Sequence, residues 1–260
     1  MNNSEEVIYG RNAVTEAIKS GMAINKILIA SGEISGSLKA IIGLAKANHI
    51  VYQFVDRNKL NELSGGKNHQ GVLLFAAAGK YCEIDDLLAK AKEAGEPPFL
   101  LLLDEIQDPH NFGAIIRTAD AVGVHGIIIP KRRSVPLTGT VAKTSAGASA
   151  HVPIARVSNL AAAIDTLKEA GLWIAGTDLS GSIPFYAADF RGPIGIVIGS
   201  EGNGMGPLIA RKCDFIVTIP MRGAVSSLNA SVAAGVVLYE IFKERVKGEN
   251  GLPKLSLIHI

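Results

Sequence analysis

The sequence predicts an α/β protein: a small N-terminal α/β unit followed by a larger unit built on a parallel sheet. From Phe99 onward, short apolar runs alternate with stretches of helical spacing. Those runs show little apolar–polar alternation, the pattern of parallel strands covered on both faces. Residues 1–78 carry a shorter set of alternating elements of their own, and Gly95-Glu-Pro-Pro98 breaks the chain before the first strong buried strand.

In the first unit, Arg11–Ser20 has helical spacing and ends at Gly21, and Lys26–Ala30 is strand-like. Leu38–Ala47 is helical, Val51–Val55 is a second strand, Asp56 caps a short helix through Leu63, and Gly71–Ala77 is a third strand. The polar loop Ser64–Gly71 carries Lys67, His69 and Gln70, and it suits either a mobile turn or contact with a polar ligand. A linker and first helix, Asp85–Ala94, occupy 79–97. The second unit spans 98–248, with strands at Phe99–Asp104, Gly126–Pro130, His151–Val157, Leu172–Thr177, Ile194–Gly199 and Phe215–Pro220. Helices are expected at Phe112–Val122, Leu160–Ala170 and Pro207–Lys212, with a last apolar segment at Val232–Phe242. Residues 249–260 match neither unit and are set apart as a tail.

Composition narrows the function. No run approaches the ~18 apolar residues of a membrane span, and the polar, acidic Met1–Val7 is not a signal peptide. Cys82 and Cys213 stand far apart without second ligands, which argues against a disulfide framework or a metal site and fits the cytoplasm. Each reads as a small buried hydrophobe. The net charge of +2 permits a nucleic-acid partner without demanding one. Lys131-Arg-Arg133 is the tight basic cluster and reads by itself as a solvated loop; aromatic residues, at 5%, argue against a base-stacking module.

Unusual polar chemistry gathers in loops that follow strands. The first is Asp104–Gly113, with Asn111 placed as a helix N-cap and Arg117 a turn later among Ala114, Ile115, Ile116 and Ala121. An arginine buried there would need an acidic or phosphate partner. The second is Gly199-Ser-Glu-Gly-Asn-Gly-Met-Gly206. It is neither a dinucleotide fingerprint, because Pro207 falls where glycine is required, nor a P-loop. A nicotinamide-dependent oxidoreductase is thereby disfavoured. Glu201 would repel a pyrophosphate, but it can pair with Arg117. The third runs from Ile219 to Ser231; its Ile219, Met221 and Leu228 can sandwich a flat ring, and Ser226–Ser231 holds more small polar residues than one helix cap needs.

Together these loops resemble the three motifs of the SPOUT superfamily of RNA methyltransferases, in its SpoU/TrmH-type branch that methylates ribose 2′-hydroxyls. Asn111-x-Gly113-x-x-x-Arg117 is similar to the first motif, Gly199-Ser-Glu-Gly202 to the second, and Ile219-Pro-Met221 with Ser227-Leu-Asn229 to the third. Tyr9-Gly-Arg-Asn12 and His69-Gln-Gly71 resemble the ribosomal-protein-like RNA-binding domain of bacterial large-subunit ribosomal RNA guanosine 2′-O-methyltransferases. The resemblance implies a trefoil-knotted catalytic domain, S-adenosylmethionine as cofactor, ribosomal RNA as partner, and a homodimer through the C-terminal domain. It implies a catalytic group of Asn111, Arg117, Glu201, Ser227 and Asn229, and a cofactor pocket of Gly199, Gly202, Ile219, Met221 and Leu228. Arg11, Asn12, Lys67, His69 and Gln70 would bind RNA. Another ribosomal RNA ribose, as in antibiotic resistance, a tRNA ribose, or a non-catalytic RNA-binding role on the same fold are the alternatives.

Overall fold

A computed structural model describes residues 7–32, 35–224 and 227–246. Within the first unit the elements are β1 (Val7–Tyr9), α1 (Arg11–Lys19), β2 (Ile24–Ala30), α2 (Gly36–Ala47), β3 (Tyr52–Val55), α3 (Arg57–Leu63) and β4 (Val72–Ala76). The sheet order is β1-β4-β2-β3; β4 runs antiparallel to β1 and β2, and β3 parallel to β2. Alternation in β2 and β4 feeds both faces. Ile27, Ile29, Val72 and Leu74 pack with Val14 and Ile18 of α1 and Leu38 and Ile41 of α2, while Leu28, Leu73 and Phe75 meet Leu60 of α3. Asp56 caps α3 as its sequence suggests, its side chain accepting from the Asn58 N–H at 2.8 Å. The short β1 has no pattern of its own; its pairing with β4 makes it a strand.

The rest of the chain forms α4 (Ile84–Ala94), β5 (Phe99–Leu103), α5 (Pro109–Ala121), β6 (Gly126–Pro130), α6 (Gly139–Thr144), β7 (Ile154–Val157), α7 (Leu160–Glu169), β8 (Trp173–Thr177), β9 (Ile183–Pro184), β10 (Ile194–Ile198), α8 (Pro207–Lys212), β11 (Phe215–Thr218) and α9 (Ala230–Val246), all but α6 belonging wholly to the second unit. Pro136–Lys143, which includes most of α6, groups with the first unit, although the sequence placed it inside the span 98–248. The Leu137 carbonyl accepts from Asn25 Nδ2 at 3.0 Å and from the Ala78 N–H at 2.9 Å, which ties the segment there.

The large sheet has the order β7-β6-β5-β10-β8-β11-β9 and every pairing is parallel. The chain lays β5, β6 and β7 toward one edge and then restarts at β8, leaving the place between β5 and β8 for β10. The loops after β5, β10, β8 and β11 are thus neighbours at the carboxyl ends, where such sheets bind ligands. One face packs Leu87 of α4, Ile164 and Leu167 of α7 and Ile209 of α8 on Leu100, Leu102, Ile174 and Val197. Helices α5 and α9 pack on one another. At the far end of α9, Arg245 donates to the carbonyls of Pro97, Pro98 and Gly192 (2.8–3.2 Å) beside the starts of β5 and β10. β7 begins at Ile154, later than the expected His151, because Ala148–Ala150 form a 3₁₀ turn. Burial pushes the Cys82 and Cys213 thiols up to about 11 and about 12, so both stay protonated at neutral pH. No helix of the described residues is long and apolar enough to cross a membrane.

Candidate active site

The site is assembled from the glycine-rich loop outward. β5 runs into Asp104, which is buried; its Oδ2 accepts from the Gly206 N–H at 2.7 Å. Burial, partly offset by that hydrogen bond, pushes the carboxyl above the usual carboxylate range. Between the ends of the loop, Ser200 and Gly204 exchange backbone hydrogen bonds of 2.9 Å. A Cβ at Gly199 would lie 2.2–2.5 Å from backbone atoms of Gly204 and Met205, so only glycine allows the loop to close on itself.

Closure places Glu201 between the other two loops. Its Oε1 accepts from Asn111 Nδ2 and Asn229 Nδ2, each at 2.5 Å, and from the Ala230 N–H at 3.4 Å. Asn229 Nδ2 also donates to Asn111 Oδ1 at 2.9 Å. The other end of Asn229 begins α9: its Oδ1 accepts from the Ser231 N–H at 2.9 Å and the Val232 N–H at 3.4 Å. One side chain therefore caps the last helix and ties the third loop to the first two. Ser226, part of the stretch singled out in the sequence, lies outside the described residues.

Two expectations for the first loop are corrected. Asn111 is not the N-cap of α5. Asp108 is: its Oδ1 accepts from the His110 and Asn111 N–H groups at 2.7 and 2.9 Å, with Pro109 as the first helical residue. The helix thus starts a turn early, and the Asn111 side chain is left for Glu201. Nor does Glu201 pair with Arg117. The buried arc of α5 is Phe112, Gly113, Ile115, Ile116 and Ala119; Arg117 falls just outside it, is exposed, and meets no hydrogen-bond or ion-pair partner among the described residues. Gly113 is needed, because a Cβ there would lie 1.9 Å from Thr144 Oγ1.

A cavity of about 350 Å³ opens at the carboxyl ends of β8, β10 and β11. Gly199, Gly202, Ile219, Met221, Ser227 and Leu228 line it, as do Ile198, Val217 and Ala233. It is also lined by Thr177, the last residue of β8, and by Asp178 and Leu179 of the loop that follows, none of which stands in a sequence motif. The available signal was positional: a polar residue following a buried strand.

In the first unit, the residues assigned to RNA largely hold one another. Arg11 donates from its backbone N–H to Gln70 Oε1 (3.0 Å), from Nε to the Gln70 carbonyl (2.9 Å) and from Nη1 to Ser37 Oγ (2.9 Å). His69 is buried rather than offered to a ligand: its Nδ1 accepts from the Gly71 N–H at 3.0 Å and its Nε2 meets Asn61 Oδ1 at 2.8 Å. Burial, followed by the charge of Arg57, lowers its pKa. Asn12 is exposed, and Lys67 Nζ lies 5.1 Å from the centre of the Tyr9 ring.

The sequence model of the SpoU rRNA methylase family matches residues 98–239. The chain belongs to this family. A second model, describing the substrate-binding domain of RNA 2′-O-ribose methyltransferases, matches residues 7–82 of this SpoU-family chain. YacO of Bacillus subtilis, assigned to the TrmH family of tRNA/rRNA methyltransferases, is 50% identical over 94% of this chain and 98% of its own length. Among solved structures, the SpoU methyltransferase AviRb of Streptomyces viridochromogenes in complex with AdoMet is similar at a TM-score of 0.61 and 25% identity, over 94% of this chain and 92% of that one. An AdoMet-bound rRNA methyltransferase from Sinorhizobium meliloti is similar at a TM-score of 0.57 and 25% identity, over 93% and 88%. SpoU/TrmH-type proteins are RNA 2′-O-methyltransferases, and the three loops that meet at Glu201 all lie within residues 98–239, the span that the family model matches.

Proposed function

We propose that this SpoU-family chain methylates a ribose 2′-hydroxyl of a guanosine in large-subunit ribosomal RNA, with S-adenosylmethionine as methyl donor. The observation that carries the reaction is the convergence of Asn111, Glu201 and Asn229 on one carboxylate oxygen beside the cavity. The cavity fits the cofactor: its volume suits a nucleoside-sized ligand, its Ile219, Met221 and Leu228 are apolar, and Gly199 and Gly202 bring backbone to its wall. When bound, the cofactor supplies an electrophilic methyl group.

The chain's own task is alignment and proton handling. Arg117 is exposed and meets no partner among the described residues, so its fork is available to an RNA phosphate and the reacting hydroxyl. Resemblance makes it the candidate base, but a guanidinium stays protonated, so its role is positioning, with a phosphate oxygen or a neighbour taking the proton. Asn111, Ser227 and Asn229 supply neutral hydrogen bonds around the ribose, and Glu201 fixes the two asparagines. Arg11, Asn12 and Lys67 are the first unit's candidate contacts to RNA, with Gln70 and His69 shaping their loop.

The same reading includes a homodimer, a knot and a cytoplasmic location. Exposed Val232 and Tyr239, seven residues apart on α9, support a helix-mediated dimer face. The insertion of β10 between β5 and β8, with the chain returning to α9 beside the first loop, supports threading. Ribosomal RNA is favoured because a relative described as an rRNA methyltransferase matches over both units of this chain. Mapping 2′-O-methyl groups on ribosomal RNA and tRNA from cells with and without this protein tests the target. Loss of one guanosine methyl in large-subunit RNA is expected; an unchanged ribosomal map with a lost tRNA methyl rejects it.

A further inference from the structure

We infer that Asp178 is a cofactor-recognition residue, its carboxylate binding the ribose cis-diol of the adenosine half. The inference rests on the cofactor reading above and assigns one residue within it. Asp178 follows β8 and lines the cavity. Its backbone is fixed from both directions: its N–H donates to the Val217 carbonyl at 3.1 Å and its carbonyl accepts from the Gly181 N–H at 3.2 Å. Its Oδ1 is also engaged, accepting from the Ser180 N–H at 2.9 Å and the Ser180 hydroxyl at 2.6 Å. Oδ2 meets no hydrogen-bond or ion-pair partner among the described residues. It looks across at Gly204, where a Cβ would come within 3.1 Å of it; Gly204 has φ 63°, so glycine serves the turn and keeps the space before Oδ2 open.

Among the described residues two acidic side chains line the cavity, and they are not equivalent. Glu201 Oε1 is committed to the asparagines and the start of α9, so this carboxylate joins the three loops even though its Oε2 meets no partner among the described residues. Asp178 is held rigidly with one oxygen left over. A carboxylate oxygen with no donor attracts one, and the cofactor offers three kinds: the sulfonium, the amino-acid ammonium and the ribose hydroxyls. The sulfonium loses its charge as the methyl leaves, so a carboxylate against it would stabilise the ground state more than the transition state. Register decides between the other two. Asp178 is hydrogen-bonded to Val217, and Thr218 Oγ1 reaches the Leu179 carbonyl at 3.5 Å, so the loop lies beside the segment leading into cavity-lining Ile219, which the cofactor reading sets against the adenine ring. What lies next to the ring is the sugar joined to it; the ammonium stands several bonds further along a flexible chain. A fixed carboxylate beside a cis-diol is also a general solution for holding a nucleoside ribose.

Calorimetric titration of the full chain tests this with S-adenosylhomocysteine, 5′-methylthioadenosine and the 2′-deoxy and 3′-deoxy forms of S-adenosylhomocysteine. Asp178→Asn keeps an oxygen for the Ser180 turn, and Asp178→Ala serves as a second variant; the melting temperature without ligand reports folding. Asp178→Asn is expected to weaken S-adenosylhomocysteine and 5′-methylthioadenosine equally, by about tenfold or more, as for loss of a charged hydrogen bond. A deoxy analogue is expected to lose affinity for the unaltered protein and little further for the variant. A loss confined to ligands that carry the amino-acid end overturns the assignment, as does an equal penalty for the deoxy analogue on both proteins. If the unaltered protein binds none of these ligands, the cofactor reading fails; if it binds them and the variant binds them equally well, only the role of Asp178 fails.

Discussion

At the scale of single residues, the site depends on one oxygen. Among the described residues three donors reach Glu201, all at Oε1, so the amide oxygen of a glutamine can replace it in kind but without charge. Charge-assisted hydrogen bonds are roughly twice as strong as neutral ones. Glu201→Gln is therefore expected to lower kcat about tenfold with near-normal affinity for S-adenosylhomocysteine, and Glu201→Ala about 10²–10³-fold, because Asn111 Nδ2 loses its acceptor and Asn229 Nδ2 keeps only Asn111 Oδ1. Single-turnover methylation of the target RNA checks this; a glutamine variant as impaired as the alanine one would show that the charge acts on the reaction directly. The sequence made the cast of this network legible, since Asn111, Glu201 and Asn229 all stand in unusual loops. It did not show the pairing. Charge alone pairs Arg117 with Glu201, whereas two neutral amides take the carboxylate because Asp108 starts α5 early enough to free Asn111. Asp178 is silent in the sequence because a lone aspartate after a strand has no local signature; its meaning comes from Gly204, 26 positions away in the chain.

At the scale of elements, the strand-and-helix alternation was readable because burial on both faces leaves unbroken apolar runs. The β1 and β9 strands were not readable: three and two residues long, they exist through their partners. The glycines of the second loop looked alike in sequence and differ in the fold. A methyl at Gly199 collides with the Gly204–Met205 backbone, and no flexible side chain there can give way; at Gly202 nothing lies within 4 Å and φ is not left-handed. Gly199→Ala is accordingly expected to cost roughly 2 kcal/mol or more, in the range of overpacking, and to weaken S-adenosylhomocysteine binding because the cavity wall must shift. Gly202→Ala is expected to stay within about 0.5 kcal/mol, as for an exposed position. Urea denaturation of both variants measures the contrast; equal midpoints would mean that the loop closes less tightly than the Ser200–Gly204 hydrogen bonds describe.

At the scale of the whole molecule, each unit carries a buried histidine wired in the same way. In the first, His69 Nδ1 accepts the Gly71 N–H. In the second, His125 Nδ1 accepts the Phe99 N–H at 3.0 Å while Nε2 faces Glu96 Oε2 at 3.3 Å. Both rings must be neutral at Nδ1, since a proton there would oppose a backbone N–H. Burial leads the lowering of both pKa values; at His125 the charges of Arg245 and Lys90 add to it and that of Glu96 opposes it. The unfolded chain binds these protons near pH 6.5, whereas the folded chain takes them up only at lower pH. Stability is therefore full above about pH 7.5 and falls as pH drops below about 6.5, by at most about 1.4 kcal/mol per pH unit for each histidine. Asp104, with its raised carboxyl, works in the opposite sense as pH falls toward its ordinary range, so the histidine effect is cleanest between pH 7.5 and 5.5. His69→Gln and His125→Gln, which cannot titrate, are expected to be less stable at pH 7.5 yet to lose less on acidification, and the double variant to be nearly flat over this window. Urea midpoints at pH 7.5, 6.5 and 5.5 decide it: if both variants keep the full slope of the unaltered chain, the acid sensitivity lies elsewhere and the neutral wiring of the two rings carries no thermodynamic weight.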